Sequence, residues 1–296
     1  MPYISGISVE RLGATQIAGV VGIPEAEDFC PGDFRCDFRE MVFASNSPES
    51  YKKDFSDFLF RKIADTDTIA LKLVKNGLVV AEITDNSYGP LYDGFPNQLN
   101  YIGLFLDWSA VYAAFGGGPY QLQASLNILG ANSVFTSRYF DLYPWNERLS
   151  HNTVKIETFQ EGNIIESEFD YTGLVEGGWK SSIRLPGELI ISTPEIEIDR
   201  YLNSSYQQIQ NYEKVIRKYN LNFYRLSESV LRTIIENKVL ANKVLITDYN
   251  LFSDQKWQAV DVAPESFSEL TITPYSKVTG SISFTNRADT LRKRNF

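Results

Sequence analysis

The sequence predicts a mainly β chain, built as two tandem β-sandwich or barrel-like domains with two short helices. Apolar and polar residues alternate over many short runs, the period of a half-buried strand. Polar turn residues punctuate these runs at short spacing, as in sandwiches and barrels. The third observation is Asn76-Gly77, set between apolar runs at 71–75 and 78–83. That dipeptide supplies the positive φ a two-residue type I′ hairpin needs. At 296 residues the chain is long enough to split its core, since single cores stop growing near about 250–300 residues.

Along the first half, Ser47-Pro48 marks a helix start, with Ser47 as N-cap and Pro48 in the first turn. Phe55, Phe58, Leu59 and Ile63 recur at helical spacing, so 48–64 reads as an amphipathic helix. The hairpin about Asn76-Gly77 follows. The segment 85–100, rich in Gly, Pro, Asn and Tyr, reads as a long loop. Residues 101–106 form a buried strand, 107–115 a short helix stopped by Gly116, and 119–127 and 134–142 further strands. Pro144-Trp145-Asn146 is turn-rich and divides an N-terminal domain, 1–146, from a C-terminal domain, 147–296.

The second domain opens with a hairpin of 153–159 and 164–169. Strands at 180–185 and 188–192 are expected to pair across Pro186-Gly187, a turn dipeptide. The run 194–199 alternates two isoleucines with three carboxylates. Strand continues to Phe223, and Val230, Leu231, Ile234 and Ile235 then place a helix near 227–237. Strands at 243–248, 257–262, 270–275 and 278–285 complete the set. A faint repeat links Gly77, Asp85, Tyr88 and Gly89 to Gly162, Asp170, Tyr171 and Gly173, which fits two tandem β-domains.

Composition narrows the chemistry. Net charge is −9 and the pI about 4.8, against a general nucleic-acid binder, which needs Lys and Arg clusters. One His and two Cys leave little material for metal sites or nucleophilic triads. Cys30 and Cys36 flank a Pro-Gly turn and read as two free thiols or one local disulfide. Residues 1–22 lack the pattern of a secretion signal. Nowhere do 18 apolar residues run together, so no membrane-spanning helix is expected. The one sequon, at Asn203, carries no weight without a secretion signal.

Candidate sites are few. Gly116-Gly117-Gly118-Pro119 ends a helix rather than starting one, so it reads as a stop and not a phosphate cradle. Glu195, Glu197 and Asp199 share one strand face, about 6.5–7 Å between successive positions. Glycosidases use carboxylates at such spacings, but alternating acids on one strand more often guard a solvated edge. Asp65 with Asp67, or Asp248 with Asp254, lack the spacing of a calcium loop. His151 reads as a surface turn residue, and no nucleophile elbow accompanies it. No catalytic residue, cofactor or metal is therefore expected. Arg287, Arg292, Lys293 and Arg294 make a basic end on an acidic chain, and Tyr and Phe are abundant at 17 and 19. Together with Tyr88 and Tyr92 these are the candidate interface residues.

Several stretches carry a resemblance. They are 104–108 (Leu-Phe-Leu-Asp-Trp) with Val111, 115–122 (Phe-Gly-Gly-Gly-Pro-Tyr-Gln-Leu), 151–156 (His-Asn-Thr-Val-Lys-Ile), 179–187, 243–250 and 286–296. Over most of 58–296 the chain resembles virion structural proteins of tailed bacteriophages, of the type infecting Bacteroidetes-like hosts. Within such virions it is similar in character to distal tail proteins. The resemblance implies a tail or baseplate ring component, located in the virion after assembly in the host cytoplasm. Its partners would be copies of itself and other tail proteins. The alternatives from other classes are a carbohydrate-binding β-module and, behind it, a β-fold glycoside hydrolase.

Overall fold

Asn76 and Gly77 adopt φ of 51° and 77°, and the strands on either side pair from Lys75↔Leu78 to Ala70↔Thr84, with one register shift between Leu73 and Val74. The hairpin forms as its turn chemistry dictates. The structure, a computed structural model, describes residues 4–5, 39–61, 68–84, 92–98, 101–128, 131–137, 139–160, 179–191, 195–202, 204–227, 241–247, 259–267, 271–272, 277–286 and 290–293. Strands hold 69% of the described residues, so the chain is mainly β.

The first half makes two sheets, with strands numbered in chain order. One has the order β1 (Ile4–Ser5), β3 (Phe55–Arg61), β7 (Tyr101–Asp107), β6 (Tyr92–Gln98). The other runs β2 (Arg39–Ala44), β10 (Tyr139–Pro144), β8 (Gly118–Ile128), β4 (Thr68–Lys75), β5 (Leu78–Thr84), with β9 (Ala131–Thr136) also on β8. The helix Trp108–Phe115 lies against this second sheet and helps seal its core. Asp107 caps its start by accepting the Ser109 N–H, and Lys75 Nζ donates to the Phe115 carbonyl at its end. Trp108 is wholly buried beside Phe140 and Tyr120, its Nε1 donating to Ser56 Oγ at 2.9 Å.

The second half makes a closed barrel. Strand β11 (Thr153–Gln160) pairs with β12 (Trp179–Ile191), β12 with β15 (Lys218–Ser227), and β15 with β19 (Lys277–Asn286). The circuit returns through β17 (Ala259–Phe267) and β16 (Lys243–Thr247) to β11, antiparallel throughout. The short strand β18 (Thr271–Ile272) adds to β19. Six strands enclose a core filled by side chains alone: Val154, Ile156, Ile183, Leu185, Leu221, Phe223, Ile246 and Phe284 among them. The apolar cluster of the first half draws on residues 42–142 and that of the barrel on 154–284, on either side of 144–146.

The structure corrects four expectations. The described part of the expected helix, residues 48–61, is not helical: a single 3-10 turn, Ser50–Lys52, leads into β3. The run Phe55, Phe58, Phe60 is aromatic and suits a strand, and pairing along its whole length with β7 overrides the helical spacing. The expected loop at 92–98 is a strand. Pro96 is tolerated there because β6 is a sheet edge and its register is irregular between Phe95 and Gln98. The strand at 134–142 is interrupted at Ser137, whose hydroxyl and backbone N–H both bond Leu122. Pro186-Gly187 is not a turn either. β12 runs straight through it and changes partners, pairing with β11 up to Pro186 and with β15 from Gly187. The backbone crosses so closely that a Cβ on Gly187 would stand 2.4 Å from the Asn222 carbonyl oxygen. Of the helix expected near 227–237, Ser227 is instead the last residue of β15 and the remainder lies outside the described residues, as do the strand at 164–169, most of the repeat and both cysteines.

A buried charge cluster joins the two halves. On β11 and β12 one set of alternate residues fills the barrel, and the other set, including Lys155, Glu157 and Arg184, faces out. That outer face is also buried, because β2 and β3 lie across it. Asp54, just before β3, takes both ends of the Arg184 guanidinium at 2.8 Å and the Phe43 N–H at 2.8 Å. Its backbone N–H bonds the Phe43 carbonyl, and its own carbonyl accepts the Trp108 N–H. Arg184 also lies over the Phe43 ring and donates to Thr153, and its backbone N–H bonds Glu40. Lys155 Nζ donates to the Ser50 and Lys53 carbonyls and lies 3.7 Å from Asp54 and 3.5 Å from Glu157. Lys180 at the rim completes the set, 3.0 Å from Glu157.

Burial works to raise the Asp54 pKa, but the charges of Arg184 and Lys155, with hydrogen bonds from Arg184 and the Phe43 N–H, hold it below the usual aspartate value. Burial likewise opposes ionisation of Glu157, and Lys155 and Lys180 hold that carboxyl low as well. Burial pushes Lys155 down, against the pull of Asp54 and Glu157. Both carboxyls are therefore more acidic folded than unfolded. The stability they contribute is full above about pH 4.3 and is lost as the pH falls through their depressed folded values. Urea titrations at pH 7 and pH 3 are expected to give a lower unfolding free energy at pH 3, with the difference reduced in Asp54→Asn. Asp54→Ala leaves Arg184 buried without its carboxylate and is expected to cost about 3–5 kcal/mol in the same assay at pH 7. Gly187→Ala forces β12 from β15 and is expected to cost about 1–3 kcal/mol.

Candidate assembly surface

Three neighbouring barrel strands continue beyond one end of the barrel. After β12 the chain resumes as β13 (Glu195–Leu202), β15 is preceded across Arg217 by β14 (Gln208–Ile216), and β19 is followed by β20 (Thr290–Lys293). The order β12-β15-β19 in the barrel wall recurs as β13-β14-β20 in this sheet. It is an arm drawn out of the wall. Eight extended residues give β13 a length of about 26 Å.

The arm presents apolar residues to solvent. Every residue of β13 but Asp199 is exposed. Ile196 is 63% exposed, Leu202 61% and Tyr206 87%, with Ile198 and Tyr201 also open. Tyr206 stands in the turn between β13 and β14 with φ of 59°, a left-handed conformation that non-glycine residues adopt at a cost. Ile196 and Ile198 follow the alternation of a strand meant to cover something, and the described residues of this chain bury neither. Exposed apolar residues gathered on one element make the arm the candidate interaction surface among the described residues.

The carboxylates share the opposite face of β13. Glu195 is paired with Lys218 at 2.9 Å, and Glu197 stands opposite Lys214 in the ladder. A glycosidase acid needs a carboxyl held in a dry pocket, and Glu195 and Glu197 are exposed. Of the basic end, Arg292 and Lys293 lie in β20, opposite Glu213 and Tyr212. Tyr92 opens β6 opposite Leu106, in another sheet and not on the arm. Tyr88, Arg287 and Arg294 lie outside the described residues, as do the aspartates weighed for calcium. His151 is half-buried and ends the short helix Glu147–Ser150, its N–H bonding the Glu147 carbonyl. Gly116 stops its helix and Gly118 opens β8, as the sequence predicts.

Sequence reasoning missed the cluster of Asp54, Lys155, Glu157 and Arg184. Lys155 and Glu157 alternate with Val154, Ile156 and Thr158, the ordinary pattern of a strand with one wet face. The missing cue was the neighbour that covers that face.

Among the described residues no helix is long and apolar enough to cross a membrane. No protein-family model matches the chain, and no curated protein matches it. A solved structure of a DUF4784 family protein from Bacteroides caccae is similar at 8% identity, over 84% of this chain and 75% of that one. The TM-score is 0.18.

Because Ile196 and Leu202 touch solvent rather than core, their joint replacement by Ser is expected to leave the unfolding free energy of the isolated subunit within about 0.5 kcal/mol of the original. Chemical denaturation at low protein concentration measures this.

Proposed function

We propose that the chain is a structural subunit of the tail or baseplate of a tailed-phage virion, a ring component that holds copies of itself and other tail proteins. The observation that supports an assembly role is the projecting arm, whose Ile196, Leu202 and Tyr206 are each more than half exposed. Buried aromatic and aliphatic anchors of this kind supply most of an interface's affinity. The resemblance carried by residues 104–108, 111, 115–122, 151–156 and 179–187 supports the virion setting.

Native mass spectrometry and negative-stain imaging of the purified chain test the reading, together with peptide mass spectrometry of the particles that encode it. A closed homo-oligomer is expected, together with a fixed copy number of the chain in each particle. Ile196→Ser with Leu202→Ser is expected to shift the oligomer to monomer, with at least a tenfold weaker assembly constant. A chain that stays monomeric at about 100 μM and is absent from particles overturns the proposal. Glycan binding by that monomer would then favour the carbohydrate-module reading.

A further inference from the structure

The two outer strands of the arm carry opposite charge. β13 holds Glu195, Glu197 and Asp199 against a single Arg200, while β20 holds Arg292 and Lys293 and is followed by Arg294. Among the described residues each of these strands pairs with β14 alone. Among those residues each therefore has an outer edge of backbone N–H and C=O groups that no other described strand pairs with, a template for a further strand. β13 and β20 both run antiparallel to β14, so they run parallel to each other.

We infer that copies of this chain join head to tail by sheet continuation, the β13 edge of one copy pairing with the β20 edge of the next. Strand addition of this type takes affinity from the main chain and selectivity from the side chains. Selectivity here is electrostatic. Two β13 edges meeting about a two-fold axis set carboxylate against carboxylate: with Glu197 at the axis, Glu195 faces Asp199. Two β20 edges set Arg292 and Lys293 against themselves. Like charges directly opposite are destabilising, so both symmetric pairings are disfavoured. The mixed pairing of acidic with basic edge is the one left, and it joins two different patches. Such a contact generates a ring if the rotation closes. Rotation about an axis along the strands keeps their direction, so the new pair is parallel. The four residues of β20 span about 13 Å, half the length of β13. They leave the other half of β13, and its apolar face, for a second contact.

The inference rests on the assembly reading, and charge exchange separates the two. One variant carries Glu197→Lys with Asp199→Lys, keeping Glu195 for Lys218; the other carries Arg292→Glu with Lys293→Glu and Arg294→Glu. Circular dichroism confirms folding, and analytical ultracentrifugation reads assembly. Each variant alone is expected to lose assembly at least a hundredfold, having two edges of one sign. An equimolar mixture of the two is expected to assemble as an alternating hetero-oligomer. Wild-type assembly is expected to weaken as salt rises from about 50 to 500 mM, since exposed charges are screened. If the wild type assembles and both variants assemble equally well alone, the edges are not the contact and the inference fails while the assembly reading stands. If the mixture stays monomeric although both variants fold, the inference fails too. A monomeric wild type overturns the assembly reading itself.

Discussion

The Asp54–Arg184 pair is the constraint on which the rest of the structure turns. A carboxylate taken fully out of water is costly unless its oxygens are all engaged. Asp54 meets this condition only where Arg184, the Phe43 N–H and the Lys155 ammonium converge. Those three groups come from β12, β2 and β11, so the site exists only once the barrel wall and the first-half sheets are in register. A one-residue slip of β12 would turn Arg184 into the barrel core and an apolar residue toward Asp54. Burying the ions adds little net stability compared with an apolar seam. What it supplies is a unique arrangement of the two halves.

This explains why some of the fold was legible in the sequence and some was not. Local chemistry fixes the Asn76-Gly77 hairpin and the Gly116 stop, and each is where the residues imply. The barrel strands follow from alternation, because Val154, Ile156, Ile183 and Leu185 fill the inside. Residues 48–64 misled because Phe55, Phe58 and Leu59 satisfy helical spacing and strand propensity alike. The decision was made by β7, some fifty residues away. Pro186-Gly187 misled because a turn dipeptide and a partner exchange use the same properties: no N–H where a ladder ends, and no Cβ where a backbone crosses.

The candidate assembly surface was half legible. The acids of 195–199 and the basic end were both visible in the sequence, but as separate features some 90 residues apart. That β13 and β20 are the two edges of one sheet follows only from the barrel, which brings β12, β15 and β19 side by side and lets each run on into the arm. Alternation in β13 was read correctly as a strand, yet the usual inference that its isoleucines are covered fails. Periodicity reports that a face is apolar. It does not report which molecule covers it.

The passage of β12 through both ladders sets how the molecule bears force. This strand of 13 residues anchors at Arg184 in the seam, and its chain goes on into β13 in the arm. Tension applied at the arm's tip, along the strands, therefore acts on the barrel wall in shear. Hydrogen bonds loaded in shear share the load and must fail together, whereas those peeled from one end fail in turn. Pulled this way, the subunit is stiff along the arm's axis, and the first-half sheets are held to the load path by Asp54's grip on Arg184.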